Sequence, residues 1–322
     1  MNKRLFVLDV CGVGHWLGHK HETMQREHNG EPCEMIDAFE QWLLELLTRF
    51  EPSHAAACLE GRNNWRKDTA RGGAADYKSN RKPLDPRLKS QLDKLPALIR
   101  SLGVHCVRHE DNEADDIAAT LVAQHASNEL PVVLVSGDKD WSQLLGDNVT
   151  LFSPVPDRAK GETHLYDCAA WEAKTQIPPH RMPEFLALVG DSSDFVAGVN
   201  GWGAVAATNA IVQTRSWAEL ERKARAGQLQ KIPTKKQAAL IEQLPAFHDA
   251  LRLVTLRYDV PLTETLDALA YAHPSEHGNS AEHETAGDDY RLRAILPEKG
   301  AAEHVAEKLQ VNQPVAPHSG AA

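Results

Sequence analysis

The sequence predicts an α/β fold: a mostly parallel sheet with helices on both faces, followed by a smaller, all-helical domain. Three observations carry this. Short apolar runs alternate with segments whose apolar residues recur at helical spacing. Three of those runs end at or just before an acid: Asp9, Glu60 and Asp138. From about residue 180 the strand-like runs stop.

Each element follows from its own pattern. Arg4-Leu-Phe-Val-Leu-Asp9 is a buried strand closed by a carboxylate. Residues 35–50 put Ile36, Phe39, Leu43, Leu46 and Leu47 on one helical face. His54-Ala-Ala-Ala-Cys-Leu-Glu60 is a second strand; residues 95–102 are helical and 104–107 extended. A helix over 114–126 precedes the β-branched strand Pro131-Val-Val-Leu-Val135, and 149–152 is one more strand. Such alternation gives a parallel sheet, whose ligands bind beyond the carboxyl ends of its strands. Beyond it, 182–189, 204–212 and 234–244 are helices. The domains are expected at 1–178, 179–268 and 269–322. Between Ala272 and Ala322 eight acids stand against four Lys/Arg, an acidic tail expected to be disordered.

Composition narrows the function classes. With 42% hydrophobic and 25% charged residues the chain is an ordinary globular one. No stretch approaches the ~18 uncharged apolar residues that spanning a bilayer needs. Asp9 cuts the apolar run behind Lys3-Arg4, against a secretory leader. Five scattered cysteines without a C-x-x-C pair point to a reducing cytoplasm. The net charge of −10 disfavours indiscriminate polyanion binding, but the charge is segregated. Between Arg62 and Arg100 eleven Lys/Arg stand against four acids, with Trp65 and Tyr77 interleaved. Such a run is either a solvated face or a rail for phosphates with rings that stack on bases. Its position directly after the Glu60 strand end favours the rail, and Gly72-Gly73 suggests a mobile arm. ATP-driven and serine-nucleophile chemistries lack their motifs.

The acids form three clusters. Glu113-Ala-Asp115-Asp116 opens a helix, Gly137-Asp138-Lys-Asp140 follows a strand, and Gly190-Asp191-Ser-Ser-Asp194 begins the second domain. Acids at a helix start also simply favour its dipole. Combined with the strand ends, however, several carboxylates converge on one sheet edge, where repulsion calls for divalent cations. Oxygen-only donors favour Mg²⁺ or Mn²⁺ over zinc. Two such ions about 4 Å apart activate a water and stabilise the leaving oxygen of a phosphodiester. His15, His19 and His21 read as surface histidines, since Gly14 and Gly18 argue against a stable helix there. Gly198-Val-Asn-Gly201-Trp-Gly203 is either a tight turn or an N–H cradle for a phosphate.

The order of these motifs resembles the 5′-nuclease (flap endonuclease) family, which includes stand-alone phage exonucleases and the nuclease domain of bacterial DNA polymerase I. The likeness runs from about Leu5 to Leu262. It rests most on Glu113-Ala-Asp-Asp116, Ser136-Gly-Asp-Lys-Asp140 with Gln143-Leu-Leu145, Leu188-Val-Gly-Asp191-Ser-Ser-Asp194, the glycine turn, and the ending Leu253-Val-Thr-Leu-Arg-Tyr-Asp-Val-Pro-Leu262. The resemblance implies a PIN-like catalytic domain with an arch over about 62–100, and a helix–turn–helix-like clamp on duplex DNA. It implies Asp9, Glu60, Glu113, Asp115, Asp116 and Asp138 as ligands of a first Mg²⁺ or Mn²⁺ ion. Asp140, Asp191 and Asp194 would serve a second, with Asp138 near both, and a K⁺ ion is expected at the clamp turn. Tyr77, on an arch helix, would stack on the terminal base; Lys78 would stabilise transition-state charge beside the catalytic Asp138. Arg81 would assist on the phosphate, Arg66 matches an upstream basic position, and Gly198, Gly201 and Gly203 would meet DNA.

Some positions depart from the family. Glu60 stands where Asp is usual, and the stretch between Arg66 and Tyr77 is longer. Phe195-Val-Ala-Gly198 replaces the common Asn-Ile-Pro-Gly, and Val205-Ala-Ala207 replaces Lys-Thr-Ala. The expected activity is metal-dependent 5′–3′ exonuclease or flap endonuclease action on DNA, by a cytoplasmic monomer, with any polymerase acting in trans. Two other readings stay open: a structure-specific DNA-binding protein with weak or no catalysis, and a nuclease acting on RNA primers or hybrids. An acidic tail that mimics nucleic acid and shields the arch is a further expectation.

Overall fold

The computed structural model describes residues 3–156 and 164–272; the expected acidic tail lies outside them from residue 273 onward. Six strands form the main sheet: β1 (Leu5–Asp9), β4 (His54–Leu59), β5 (His105–Arg108), β6 (Val132–Val135), β7 (Val149–Ser153) and β8 (His164–Tyr166). A separate hairpin pairs β2 (Glu27–His28) with β3 (Glu31–Pro32). The order is β5-β4-β1-β6-β7-β8, parallel throughout except for the antiparallel edge strand β8.

Period-two alternation assigns the two faces of the sheet. Leu5, Val7, Ala56, Cys58, Val132 and Leu134 join the core that includes Ile117, Ala118 and Leu121 of α5 (Ala114–His125). Phe6, Leu8, Ala57, Val133 and Val135 join the core of α1 (Val10–His21), α2 (Glu34–Phe50) and, through Ile99, α4 (Leu95–Ser101). Cover on both faces is what a parallel sheet requires, and it explains why its strands read as nearly unbroken apolar runs.

Helix α1 corrects the sequence expectation. Each glycine costs a helix about 1 kcal/mol relative to alanine, yet Gly14 and Gly18 lie inside α1. A Cβ on Gly14 would come within 2.6 Å of Leu92, and one on Gly18 would overlap Leu88. Both leucines belong to α3 (Pro86–Leu92), so the missing side chains let two helices approach, and that packing offsets the lost propensity. Asp9 caps α1 by accepting from Gly12 N–H at 2.8 Å.

The second domain begins with α7 (Met182–Val189), after α6 (Cys168–Thr175). It continues through α8 (Ala204–Val212), α9 (Trp217–Arg225), α10 (Thr234–Glu242) and α11 (Leu244–Val254). Helix α7 packs on α8 and α11, and Trp217 stacks on Phe247 with centroids 3.8 Å apart. The chain then returns to the first domain. Gln143 Nε2 donates to Val254 O at 2.9 Å, and Val260 N–H donates to Thr120 Oγ1 at 3.2 Å. The family-like ending at 253–262 is thus a strap between domains. No helix among the described residues is long and apolar enough to cross a membrane.

Candidate active site

The strand order reverses at β1, whose neighbours are β4 on one side and β6 on the other. Crevices of α/β sheets open at such points, beyond the carboxyl ends of the strands. Asp9 ends β1, Glu60 follows β4, and Asp138 follows β6. The first turn of α5 faces the same edge: Glu60 Oε2 accepts from Ala114 N–H at 3.4 Å, and Trp141 Nε1 donates to Asp115 Oδ1 at 2.7 Å.

This edge is rich in uncompensated negative charge. Burial pushes Asp9 up to about 6, and the Asp138 carboxylate adds to the rise; hydrogen bonds from Ser136 and Gly12 oppose it. Glu60, open to solvent on its outer side, is pushed up to about 7 by the surrounding protein and then by Glu113, against the pull of Lys78. Asp115 is held well above the ordinary carboxylate range by burial and by Asp138, Glu60, Glu113 and Asp9. Asp140 rises to about 7 through burial and Asp138, and its Oδ1 is buried without a hydrogen-bond partner.

Asp116 is different. It is 0% exposed, and Arg66, itself 1% exposed, grips it with two bonds of 2.6 and 2.8 Å. Trp65 Nε1 at 3.0 Å and Arg257 N–H at 2.9 Å complete its shell. Arg66 also donates to Glu113 at 3.0 Å, to Leu253 O at 2.7 Å and to Thr255 O at 3.1 Å. Asp116, expected among the metal ligands, and Arg66, matched to an upstream basic position on nucleic acid, are here partners in a buried ion pair that ties α5 to the interdomain strap.

The second cluster lies across Lys139, which donates to Asp191 Oδ2 at 2.7 Å and approaches Asp140 at 3.4 Å. Burial works to raise Asp191, but Lys139 and Ser193 bring it below the usual range. Asp194 accepts from Tyr77 Oη at 2.8 Å and Arg81 at 2.7 Å. Lys78 pairs with Glu113 and stands 3.6 Å from Asp194. Burial pulls Lys78 down, yet Glu113 and Asp194 outweigh it and hold the ammonium at about 12.

The arch differs from its expected form in four ways. Tyr77 and Lys78 lie in turns rather than on a helix, with Lys78 at a left-handed φ of 56°. The Tyr77 ring is 3% exposed and presents no face to a base. Gly72-Gly73 is pinned: Gly73 N–H donates to Asp68 O at 2.8 Å, and Gly72 O accepts from Arg252 at 2.7 Å. Eight of the eleven cations of the run (Arg62, Arg66, Arg71, Lys78, Arg81, Arg87, Lys89, Lys94) pair with carboxylates, so the run is stitched to the protein rather than a free rail.

The glycine turn divides in two. A Cβ on Gly198 would overlap the backbone of Gly190 and Val189, so this glycine serves packing. Gly201, at φ 84°, and Gly203 face open space. Residues that the sequence motifs did not assign also matter: Ser136 Oγ donates to Asp9 at 2.7 Å and accepts from Asp138 N–H, while Lys139 joins the two clusters. Their place inside the motif Ser136-Gly-Asp-Lys-Asp140 was their sequence signal.

The donor set fits divalent metal ions in its chemistry, being hard carboxylate oxygens with raised affinity for protons. As they stand, no three His, Cys, Asp or Glu among the described residues are grouped tightly enough to hold an ion.

Comparison with known proteins places this site in a family. A profile described as 5′-3′ exonuclease, N-terminal resolvase-like domain, matches residues 4–176, and one described as 5′-3′ exonuclease, C-terminal SAM fold, matches 177–277. The chain belongs to the 5′-3′ exonuclease family. It is therefore a nuclease, a phosphodiester hydrolase. Flap endonuclease Xni of Serratia proteamaculans is 30% identical over 243 residues, covering 74% of this chain and 90% of that one. DNA polymerase I of Chloroflexus aurantiacus is 28% identical over 269 residues; the match covers 82% of this chain but only 28% of the polymerase. Among 5′-3′ exonuclease structures, that of bacteriophage T5 with divalent metal ions (zinc) bound superposes with a TM-score of 0.62 at 17% identity, covering 97% of this chain and 100% of that chain. The likeness establishes the shared fold: a mostly parallel sheet with a helical second domain.

Proposed function

We infer that this 5′-3′ exonuclease-family chain trims 5′ ends or flaps of DNA with two divalent ions, Mg²⁺ or Mn²⁺. The observation that carries the reading is the undercompensated carboxylate edge, where Asp9, Glu60, Asp115 and Asp140 all hold protons more tightly than free carboxylates. Asp9, Glu60, Glu113, Asp115 and Asp138 would hold the first ion; Asp140, Asp191 and Asp194 the second, with a K⁺ ion at the Gly198–Gly203 turn. Bound divalent ions supply Lewis acidity, making a water more acidic and neutralising charge on the scissile phosphate.

The chain's own groups do the rest. Ser136 and Gly12 fix the Asp9 carboxylate, and Trp141 fixes Asp115. Lys78 stays protonated at neutral pH and stands ready to meet developing charge on the phosphate, with Arg81 beside it. For both to do so, they must exchange Glu113 and Asp194 for substrate. That pairing favours a second reading, a DNA-binding protein whose arch holds it inactive.

One experiment separates the two. A 5′-labelled flap duplex is incubated with Mg²⁺, Mn²⁺ or chelator, beside a nicked duplex and an RNA-primed strand. Metal-dependent cutting near the junction that disappears in Asp138→Ala supports the nuclease reading. A gel shift without cutting at any metal concentration rejects it in favour of the binder.

A further inference from the structure

We propose that Phe195 is a stacking residue that positions an unpaired nucleobase beside Asp194; this deepens the flap-nuclease reading and rests on it. Phe195 is 50% exposed, directly after the acid that Tyr77 and Arg81 hold. Its backbone adopts φ 58°, a left-handed conformation that a bulky side chain rarely takes. Asparagine or glycine would occupy that conformation with less strain.

The surrounding loop enforces it. Asp191 and Val196 exchange two backbone bonds of 2.8 Å, closing the segment between them. Ser193 N–H donates to Asp191 Oδ1 at 2.8 Å. From the arch, Asn80 donates to Ser192 O at 2.7 Å and Lys78 N–H to Asp194 O at 2.9 Å. An exposed ring kept in an over-determined, unfavourable backbone state contributes little burial to the free protein, and strain of this kind gathers at ligand contacts.

The chemistry around the ring selects the ligand. Lys78 and Arg81 reach the carboxylate of Asp194, the residue before Phe195 in the closed loop. Rings for bases beside cations for phosphates are the mark of single-strand binding. Tyr77, which the sequence suggested for stacking, is sealed in the interior, and Phe195 is the exposed aromatic next to the same carboxylate.

The test measures binding of a 5′-flap duplex by fluorescence anisotropy, with Ca²⁺ in place of Mg²⁺, while an abasic nucleotide is stepped through the unpaired strand. Losing one stacked base weakens binding about ten-fold. The intact chain should show that loss at one position near the junction. Phe195→Asn should bind the complete flap about ten-fold more weakly and no longer sense that position. It should keep its affinity for a blunt duplex and melt no lower than the intact chain. Phe195→Leu, apolar but without a π face, should resemble Phe195→Asn. Flap affinity unchanged in Phe195→Asn, an abasic profile unaltered by it, or full retention in Phe195→Leu overturns the proposal. If the intact chain neither binds nor cuts the flap, the flap-nuclease reading has failed, and the stacking role falls with it.

Discussion

Asp115 and Asp116 are neighbours on one helix turn, and the protein treats them in opposite ways. Asp116 is sealed with Arg66, an indole and a backbone N–H, its charge fully answered by the chain itself. Asp115 has one indole N–H and a ring of other carboxylates around it. The difference teaches how this chain divides its charge between two adjacent carboxylates. Arg66 locks the domain interface, while Asp115 and the carboxylates around it keep a deficit of positive charge for ions and substrate to fill.

The comparison is broken most severely from the sealed side. Arg66→Met leaves Asp116 buried and unpaired, and losing one partner of a buried pair costs about 3–5 kcal/mol. Urea unfolding should show that loss; an undiminished midpoint would mean the pair does not tie the domains. On the open side the expectation reverses. Asp138→Ala gives up an N-cap bond to Asp140 N–H, about 1 kcal/mol, but relieves repulsion on Asp9, Asp115 and Asp140. Single-turnover flap cleavage should fall on the order of 10²–10³-fold with the melting temperature nearly unchanged.

Proton and metal should compete at the same edge. Asp9, Glu60 and Asp140 have folded-state pKa values above their unfolded ones, so the folded chain holds extra protons between about pH 4 and 7. Their contribution to stability is therefore present at low pH and lost as pH rises through about 6 to 7. Added Mn²⁺ restores it: at a hundred times its Kd the gain is about 2.7 kcal/mol. Calorimetry should find the Mn²⁺-induced rise in melting temperature larger near pH 8 than near pH 5.5, where the ion must displace protons. Equal rises at both would place the ion elsewhere. The smallest effect is that of Glu60→Asp. At this solvent-open position stability should stay within about 0.5 kcal/mol, and a Mn²⁺ titration of the melting temperature reads how far the shorter carboxylate shifts the midpoint.

Much of this was legible in the sequence. Unbroken apolar runs marked β1, β4 and β6, and the acids closing them marked one sheet edge, because strand direction alone brings carboxyl ends together. What remained hidden depended on long-range contacts. Gly14 and Gly18 read as helix breakers until Leu88 and Leu92 filled the space beside them. Arg66 and Tyr77 carry the same chemistry whether exposed or sealed, so a basic, aromatic run could not reveal that Asp116, Glu113 and Asp194 claim them. Asp115 and Asp116 were indistinguishable for the same reason.

The two indoles at this turn have an optical consequence. Trp141 donates to Asp115 at the open edge, whereas Trp65 donates to Asp116 inside the sealed pair. Charge arriving at Asp115 changes the field across the Trp141 ring, which donates to that carboxylate. Trp141 is one of seven tryptophans in the chain, so its substitution isolates its share of the signal. Emission that responds to Mn²⁺ in the intact chain and falls silent in Trp141→Phe would report ion arrival without any cleavage being measured.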